Sequence, residues 1–221
     1  MTFTNNLEQE FRKVASAETA VPMEAYMKNN FFFFGIKTTP RRVLFKEVWK
    51  LHKEEVKQHA REIVMELFSM KEREFHYCGI EILMKELKKK YRKEDVQLIE
   101  KMIVTHSWWD SVDTIAKYLL GNYLAQFPEE IPKVINQFAS SENMWLNRSA
   151  ILFQLDYKAQ TDAELLFSIC EKHKASKEFF IQKAIGWALR DYSRFNPKEV
   201  TEFVVKTDLK PLSKREALRN L

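Results

Sequence analysis

The sequence predicts an all-α protein, and three observations carry that prediction. The 221 residues include only 4 glycines and 6 prolines, so the chain has few residues that favour tight turns. Its apolar residues mostly recur at intervals of three and four, which is the spacing of one face of an α-helix. A segment pattern also repeats every 35 residues, and a period of this length is typical of solenoids built from helical pairs.

Short turns separate thirteen predicted helices. In chain order these cover residues 4–16, 22–33, 40–50, 54–68, 72–89, 94–104, 108–126, 129–138, 143–156, 162–173, 177–194, 197–206 and 212–221. We expect one continuous domain over residues 1–221.

The boundary before the third helix lies in the stretch "FFFFGIKTTPRR". Gly35 breaks the pattern, Thr39 is interpreted as an N-cap, and Pro40 occupies the first helical position. The four phenylalanines are interpreted as core. Basic side chains beside a helix N-terminus can hold a phosphate. The candidate phosphate contacts here are Lys37, Thr39, Arg41 and Arg42.

The 35-residue repeat aligns Asp113, Arg148 and Lys183 in "WWDSVDTIAKYLL", "NMWLNRSAILFQL" and "EFFIQKAIGWAL". One period earlier, "EREFHYCGIEILMK" places Cys78 at the matching position. Each unit of such a repeat buries its apolar face against its neighbours. An irregular helical bundle is the alternative architecture.

The helix that begins near residue 108 carries the first candidate site. Ser107 followed by Asp110 has the spacing of a capping box, so Asp110 is assigned a structural role. Trp108 aligns with apolar positions and is predicted to lie in the core. Trp109 and Asp113 are one turn apart and project together. An indole beside a carboxylate suits a developing sugar cation, although a boundary tryptophan with a solvated aspartate is the simpler alternative.

Two further repeats contribute charged groups. Arg148 falls on an apolar face and therefore needs an anionic partner, either Asp113 or a phosphate. A purely structural ion pair is the alternative reading of Arg148. In the next repeat, basic residues flank Trp187 at helical spacing and form a basic edge on the predicted helix. This composition is typical of a nucleic-acid-binding surface, but a solvated helix face can have it too. The basic residues of that edge are Lys183, Arg190 and Arg194.

Composition adds weaker constraints. Lys plus Arg number 36 against 31 Asp plus Glu, and the net charge of +5 is compatible with an anionic partner. The two cysteines form no CxxC pair, which favours a reduced compartment such as the cytoplasm. No run approaches the roughly 18 apolar residues of a membrane span. The five histidines lack metal-binding spacing, so we expect neither metal nor cofactor.

These motifs together resemble the AlkD-like DNA alkylation repair glycosylases, which are built from HEAT-like repeats. The resemblance runs through essentially the whole chain and is most specific in "SWWDSVD" and "FFIQKAIGWALR". It implies a curved HEAT-like solenoid whose basic concave face takes duplex DNA. It also implies a monomer. Together with the cysteine usage, this leads us to expect a cytoplasmic protein that associates with the nucleoid when it acts on DNA.

The activity implied by the resemblance is hydrolysis of the N-glycosidic bond of cationic alkylated purines, such as 3-methyladenine and 7-methylguanine. The family's catalytic aspartate corresponds to Asp113, its sugar-contacting tryptophans to Trp109 and Trp187, and its active-site arginine to Arg148. No Schiff-base lysine is apparent, so we expect a monofunctional enzyme. The alternatives are a non-catalytic binder of damaged or branched DNA and a protein-binding scaffold.

Overall fold

Helices account for all the regular secondary structure of residues 1–221, which the computed structural model describes throughout. The only β-type pairing is an isolated bridge between Phe32 and Glu72. The predicted all-α class is therefore confirmed. The chain divides into two compact units, residues 1–90 and 91–221. The expectation of one continuous domain stays a prediction, as does that of a basic concave face.

The first unit contains five helices. They are α1 (Phe3–Lys13), α2 (Ala17–Tyr26), α3 (Thr38–Leu51), α4 (Lys53–Ser69) and α5 (Arg73–Glu86). Thr2 and Ser16 cap the first two helices, because each side-chain oxygen accepts a backbone N–H of the first turn. Helix α1 packs against α3 and α4, and α4 packs against α5. The interior is rich in phenylalanine, with Phe3, Phe11 and Phe75 fully buried.

The segment between α2 and α3 differs from the prediction. The second helix was expected over residues 22–33, but α2 ends at Tyr26. Lys28 and Asn29 then adopt positive φ angles, which end the helix. The segment 31–36 that follows is not helical. Three of the four phenylalanines are buried as expected, whereas Phe32 is 55% exposed. The N-cap of α3 is Lys37, so the assignment of Thr39 as N-cap was wrong.

A buried carboxylate holds this segment in place. Glu74, in the first turn of α5, accepts backbone N–H groups from Phe34, Gly35 and Ile36 at 3.1–3.2 Å. Burial raises the pKa of Glu74, and the three backbone hydrogen bonds oppose that rise. Gly35 has φ +83°, and a β-carbon there would lie 2.2 Å from the carbonyl oxygen of Ser16. The glycine break predicted from the sequence is therefore a steric requirement.

We expect Glu74→Ala to lower the free energy of unfolding by about 3–5 kcal/mol. The substitution leaves three buried N–H donors without their acceptor, and each such loss costs roughly 1–3 kcal/mol before relaxation. Urea denaturation followed by circular dichroism measures this change as a lower midpoint with an unaltered slope. A loss below about 1 kcal/mol would mean that water replaces the carboxylate.

The second unit contains nine α-helices. They are α6 (Asp95–Val104), α7 (Trp109–Thr114), α8 (Gly121–Gln126), α9 (Ile131–Ala139), α10 (Met144–Leu152), α11 (Ala163–Lys172), α12 (Phe179–Ser193), α13 (Pro197–Lys206) and α14 (Pro211–Ala217). A π-helix, Ile115–Leu120, joins α7 to α8, and 3-10 turns lie at Pro128–Glu130 and Lys158–Gln160. Helix α10 contacts α6, α7, α9, α11 and α12, and α12 packs against α14. None of the helices in either unit combines the length and apolar character needed to cross a membrane.

Hydrogen bonds between residues 35 apart confirm the repeat. Arg148 binds Asp113, the side chain of Gln126 binds the backbone of Tyr91, and the backbone N–H of Asp156 binds the carboxylate of Asp191. Residues at equivalent positions of successive repeats are therefore neighbours in space. This register is the one expected of a helical-pair solenoid.

Candidate functional site

Helix α7 begins one residue later than the capping-box prediction required. Trp108 is its N-cap, and no side chain caps the first turn. The Ser107 hydroxyl instead donates to the carbonyl of Ile103 at 2.6 Å, which ties it to the end of α6. The capping box was therefore wrong, because the serine satisfies the preceding helix rather than the following one.

Trp108 belongs to an aromatic cluster at the start of α7. Its ring centroid lies 5.8 Å from that of Trp145 and 5.3 Å from that of Phe180. The Trp145 and Phe180 centroids are 5.1 Å apart. Three consecutive repeats thus contribute one ring each to the cluster. The indole N–H of Trp108 is buried without a hydrogen-bond partner.

Asp113 and Arg148 form a bidentate ion pair. Arg148 Nε donates to Oδ1 of Asp113 at 2.7 Å, and its Nη2 donates to Oδ2 at 2.8 Å. The side chain of Arg148 is 5% exposed and that of Asp113 is 13% exposed. Of the two partners considered for Arg148, the structure shows the aspartate. Each carboxylate oxygen retains one further acceptor position.

The remaining Nη of Arg148 donates to the backbone carbonyl of Phe180. This bond engages the start of α12, so the guanidinium connects α7, α10 and α12. A guanidinium with five donors in a fixed plane can hold such an arrangement, whereas an ammonium cannot reproduce its two parallel bonds. Phe180 contributes through its backbone carbonyl, a role that no side-chain pattern reveals.

Burial raises the pKa of the Asp113 carboxyl above its ordinary 3.8. The hydrogen bonds and positive charge of Arg148 act in the opposite direction, and the nearby Asp110 adds to the rise. Arg148 is thus the group that favours the ionised form of this desolvated carboxyl group. A buried carboxylate without such a partner would favour its neutral form.

The two tryptophans predicted for the site lie on α7 and α12. Trp109 is half-buried at the first position of α7, one turn before Asp113. Trp187 is half-buried on α12, one turn after Lys183. The π-helix follows directly after the turn that carries Asp113, where the sequence predicted uninterrupted α-helix. Short π segments within α-helices occur frequently at functional sites.

The basic edge of α12 has a carboxylate partner that the 35-residue repeat does not reveal. Glu216 of α14 accepts from Lys183 Nζ at 3.0 Å and from Arg190 Nη1 at 2.9 Å. These two cations lower the pKa of Glu216. Close packing holds α14 there, since a β-carbon on Gly186 would lie 2.4 Å from Cβ of Glu216. Arg194 differs, because its side chain is 64% exposed and lies 3.8 Å from Asp191.

The four candidate phosphate contacts near the start of α3 also include both exposed and buried side chains. Lys37 and Thr39 are exposed, and Arg42 is exposed with its Nε 3.0 Å from Glu81. Arg41 is buried, and it donates to Glu81 at 2.6 Å and to the Cys78 sulfur at 3.2 Å. The prediction that Arg41 contacts a phosphate of the DNA is therefore corrected, because Arg41 is buried and its charge is already compensated by Glu81 inside the first unit.

The sequence pattern of the DNA alkylation repair enzyme family matches residues 7–221. The chain belongs to this family. Its fold is also similar to a solved structure described as a predicted DNA alkylation repair enzyme from Enterococcus faecalis. The two share 34% identity with a TM-score of 0.86, over 94% of this chain and 96% of that one. Comparison with curated proteins gave no match.

Membership of the DNA alkylation repair family gives the chain a role in repairing alkylated DNA, with DNA as its partner. Within that role, the chemically distinctive group of the second unit is the Asp113–Arg148 pair. Across the chain, no group of three or more His, Cys, Asp or Glu side chains is arranged to hold a metal ion.

Proposed function

We propose that this protein is a monofunctional DNA glycosylase that hydrolyses the N-glycosidic bond of cationic alkylated purines in duplex DNA. The substrates are 3-methyladenine and 7-methylguanine, and the reaction is the first step of base excision repair. The observation that carries the proposal is the Asp113 carboxylate, which accepts two hydrogen bonds from Arg148 while 13% of its side chain stays exposed.

The leaving group explains why such a simple site suffices. A neutral purine needs a general acid to leave, whereas a purine alkylated at N3 or N7 is already cationic and departs as a neutral base. The enzyme then has to stabilise the sugar cation that develops and to admit a water molecule. Asp113 supplies the negative charge, and Trp109 and Trp187 offer aromatic faces to the cationic sugar.

The magnitude of this stabilisation follows from two opposing charges. At an effective dielectric constant near 20, a carboxylate about 4 Å from a unit positive charge contributes roughly 4 kcal/mol. The guanidinium of Arg148, about 3 Å farther away, opposes it with roughly 2 kcal/mol. The net effect of about 2 kcal/mol corresponds to between one and two orders of magnitude in rate. Orienting the attacking water through a free carboxylate acceptor position adds to this factor.

The decisive experiment measures base release from methylated duplex DNA under single-turnover conditions. We expect free 7-methylguanine and 3-methyladenine, an intact strand carrying an abasic site, and no DNA adduct trapped by borohydride. Arg148, and no lysine, is hydrogen-bonded to Asp113, in keeping with a monofunctional reaction. Tight binding of methylated DNA without base release would favour the non-catalytic binder.

We also expect Glu216→Gln to strengthen binding to undamaged duplex DNA by about tenfold at low salt. Glu216 forms ion pairs with Lys183 and Arg190. We assign these two residues, together with Arg194, to contacts with DNA phosphates. Without its negative charge, both cations are available. The logarithmic salt slope of the binding constant should steepen by about 1–2, since each phosphate contact contributes about 0.9. An unaltered slope would show that the two cations serve only to fasten α14.

A further inference from the structure

A lysine-lined cavity of about 420 Å³ lies in the first unit. Its basic residues come from α3, from the start of α4 and from the end of α5 with the residues after it. They are Lys46, Lys50, Lys53, Lys57, Lys85 and Lys90. Trp49 and one carboxylate, Glu86, complete the lining. The lining thus carries six positive charges against one negative charge.

No carboxylate lies within ion-pair distance of these six lysines. The described ion pairs of the first unit fall elsewhere, for example at Arg41 and Arg42 with Glu81. Lys46 and Lys50 are one turn apart on α3, and Lys53 and Lys57 are one turn apart on α4. Like charges at this spacing destabilise a helix. Lys53 also begins α4, where a positive charge opposes the helix dipole.

Trp49 gives the cavity a rigid wall. Its side chain is largely buried, and Lys85 Nζ lies 4.3 Å from the centre of its ring. The electrostatics of an aromatic ring attract a cation placed over its face. The cavity therefore has one of its six ammonium groups against an aromatic wall. A cleft lined by a single sign of charge focuses the field and concentrates anions.

We propose that this cavity binds the sugar–phosphate backbone of DNA. Lysines repeated at one-turn intervals, about 5.4 Å apart along each helix, match a ligand with successive charges better than a compact single anion. Duplex DNA carries one charge every 3.4 Å along each strand, and lysines that neutralise it release bound counterions. The choice of DNA as the polyanion rests on the proposed function. The cavity is a second contact region, distinct from the site that carries Asp113.

The test compares two triple variants of the full chain for binding to undamaged duplex DNA over a series of salt concentrations. The first is Lys46→Gln with Lys50→Gln and Lys53→Gln. The matched control removes three exposed lysines of the second unit, by Lys133→Gln, Lys198→Gln and Lys206→Gln. We expect the cavity variant to lower the salt slope by about 2–3 and to lose at least about tenfold in affinity at 0.1 M salt. The control should stay close to wild type in both quantities.

Equal salt slopes for the two variants would overturn the assignment. A second result would also overturn the assignment. In it, inorganic tripolyphosphate raises the melting temperature of wild type saturably, the cavity variant loses this stabilisation, and the cavity variant binds DNA as wild type does. The cavity would then bind a small free polyphosphate. Base release from methylated DNA by both variants separates this inference from the proposed function. If wild type releases base while the slopes are equal, only the cavity assignment fails. A wild type that binds no DNA defeats both.

Discussion

Asp113→Asn is expected to lower single-turnover release of 7-methylguanine by two to three orders of magnitude. Affinity for undamaged duplex DNA should stay within about threefold of wild type. Removing one group that stabilises charge in the transition state typically costs about 10²–10³ in rate. DNA affinity changes little because Asp113 is an anion paired with Arg148 and contributes no phosphate contact.

The structure also predicts a cost in stability for this variant. The amide of asparagine can accept one hydrogen bond from Arg148, but its NH₂ group faces the second guanidinium donor. Removing one partner of a buried ion pair typically costs about 3–5 kcal/mol. Thermal unfolding should therefore be measured alongside the kinetics. It distinguishes a slower reaction of the folded enzyme from a smaller folded fraction, provided that activities are measured well below the lower of the two melting temperatures.

Asp110→Asn is the matched control for Asp113→Asn. It removes the same charge from the same short helix, three residues earlier and without breaking the ion pair with Arg148. We expect it to retain base release within a few-fold of wild type. Unchanged release by Asp113→Asn, or an equal loss in both variants, would reject Asp113 as the group that stabilises the sugar cation.

The sequence could predict the ion pair because the repeat period determines which residues become neighbours. In a helical-pair solenoid, equivalent positions of successive units lie side by side. Asp113 and Arg148 share one such position, and an arginine on an apolar face needs an anionic partner. Of the two partners that the sequence allows, Asp113 and a phosphate, the structure shows Asp113. The same reasoning predicted the basic edge on α12, but it did not find the partner of that edge. Glu216 lies on α14, outside the 35-residue alignment.

The errors arise where local sequence competes with tertiary contacts. A helix was predicted over residues 22–33, yet α2 ends at Tyr26, Lys28 and Asn29 adopt positive φ angles, and Glu74 binds the backbone of residues 34–36 in a non-helical conformation. Arg41 and Arg42 are adjacent in the sequence and chemically alike. Adjacent residues of a helix point in different directions, so Arg41 is buried against Glu81 whereas Arg42 is exposed. In both cases the partner is distant in sequence, and no local pattern reveals it.

Arg148→Gln is expected to shift the acid limb of the pH–rate profile for base release to higher pH. Burial raises the pKa of Asp113 above 3.8, and Arg148 is the group that opposes the rise. Without the guanidinium the pKa rises further. Because the reaction needs the carboxylate, activity appears only as pH rises through that higher pKa. Base release near neutral pH should fall at least about 100-fold, since the carboxylate also loses its orientation.

The pH dependence of the free energy of unfolding tests the ionisation of Asp113 independently of the rate. A carboxyl group whose pKa is higher in the folded than in the unfolded protein stabilises the fold at low pH, and that contribution is lost as pH rises through the folded pKa. The destabilisation of Arg148→Gln should therefore be larger at neutral pH than at acid pH in urea denaturation. Arg215→Gln, which alters an exposed arginine of α14, should leave both the acid limb and this pH dependence as in wild type. An acid limb that stays in place in Arg148→Gln would mean that the group titrating in the rate is not Asp113.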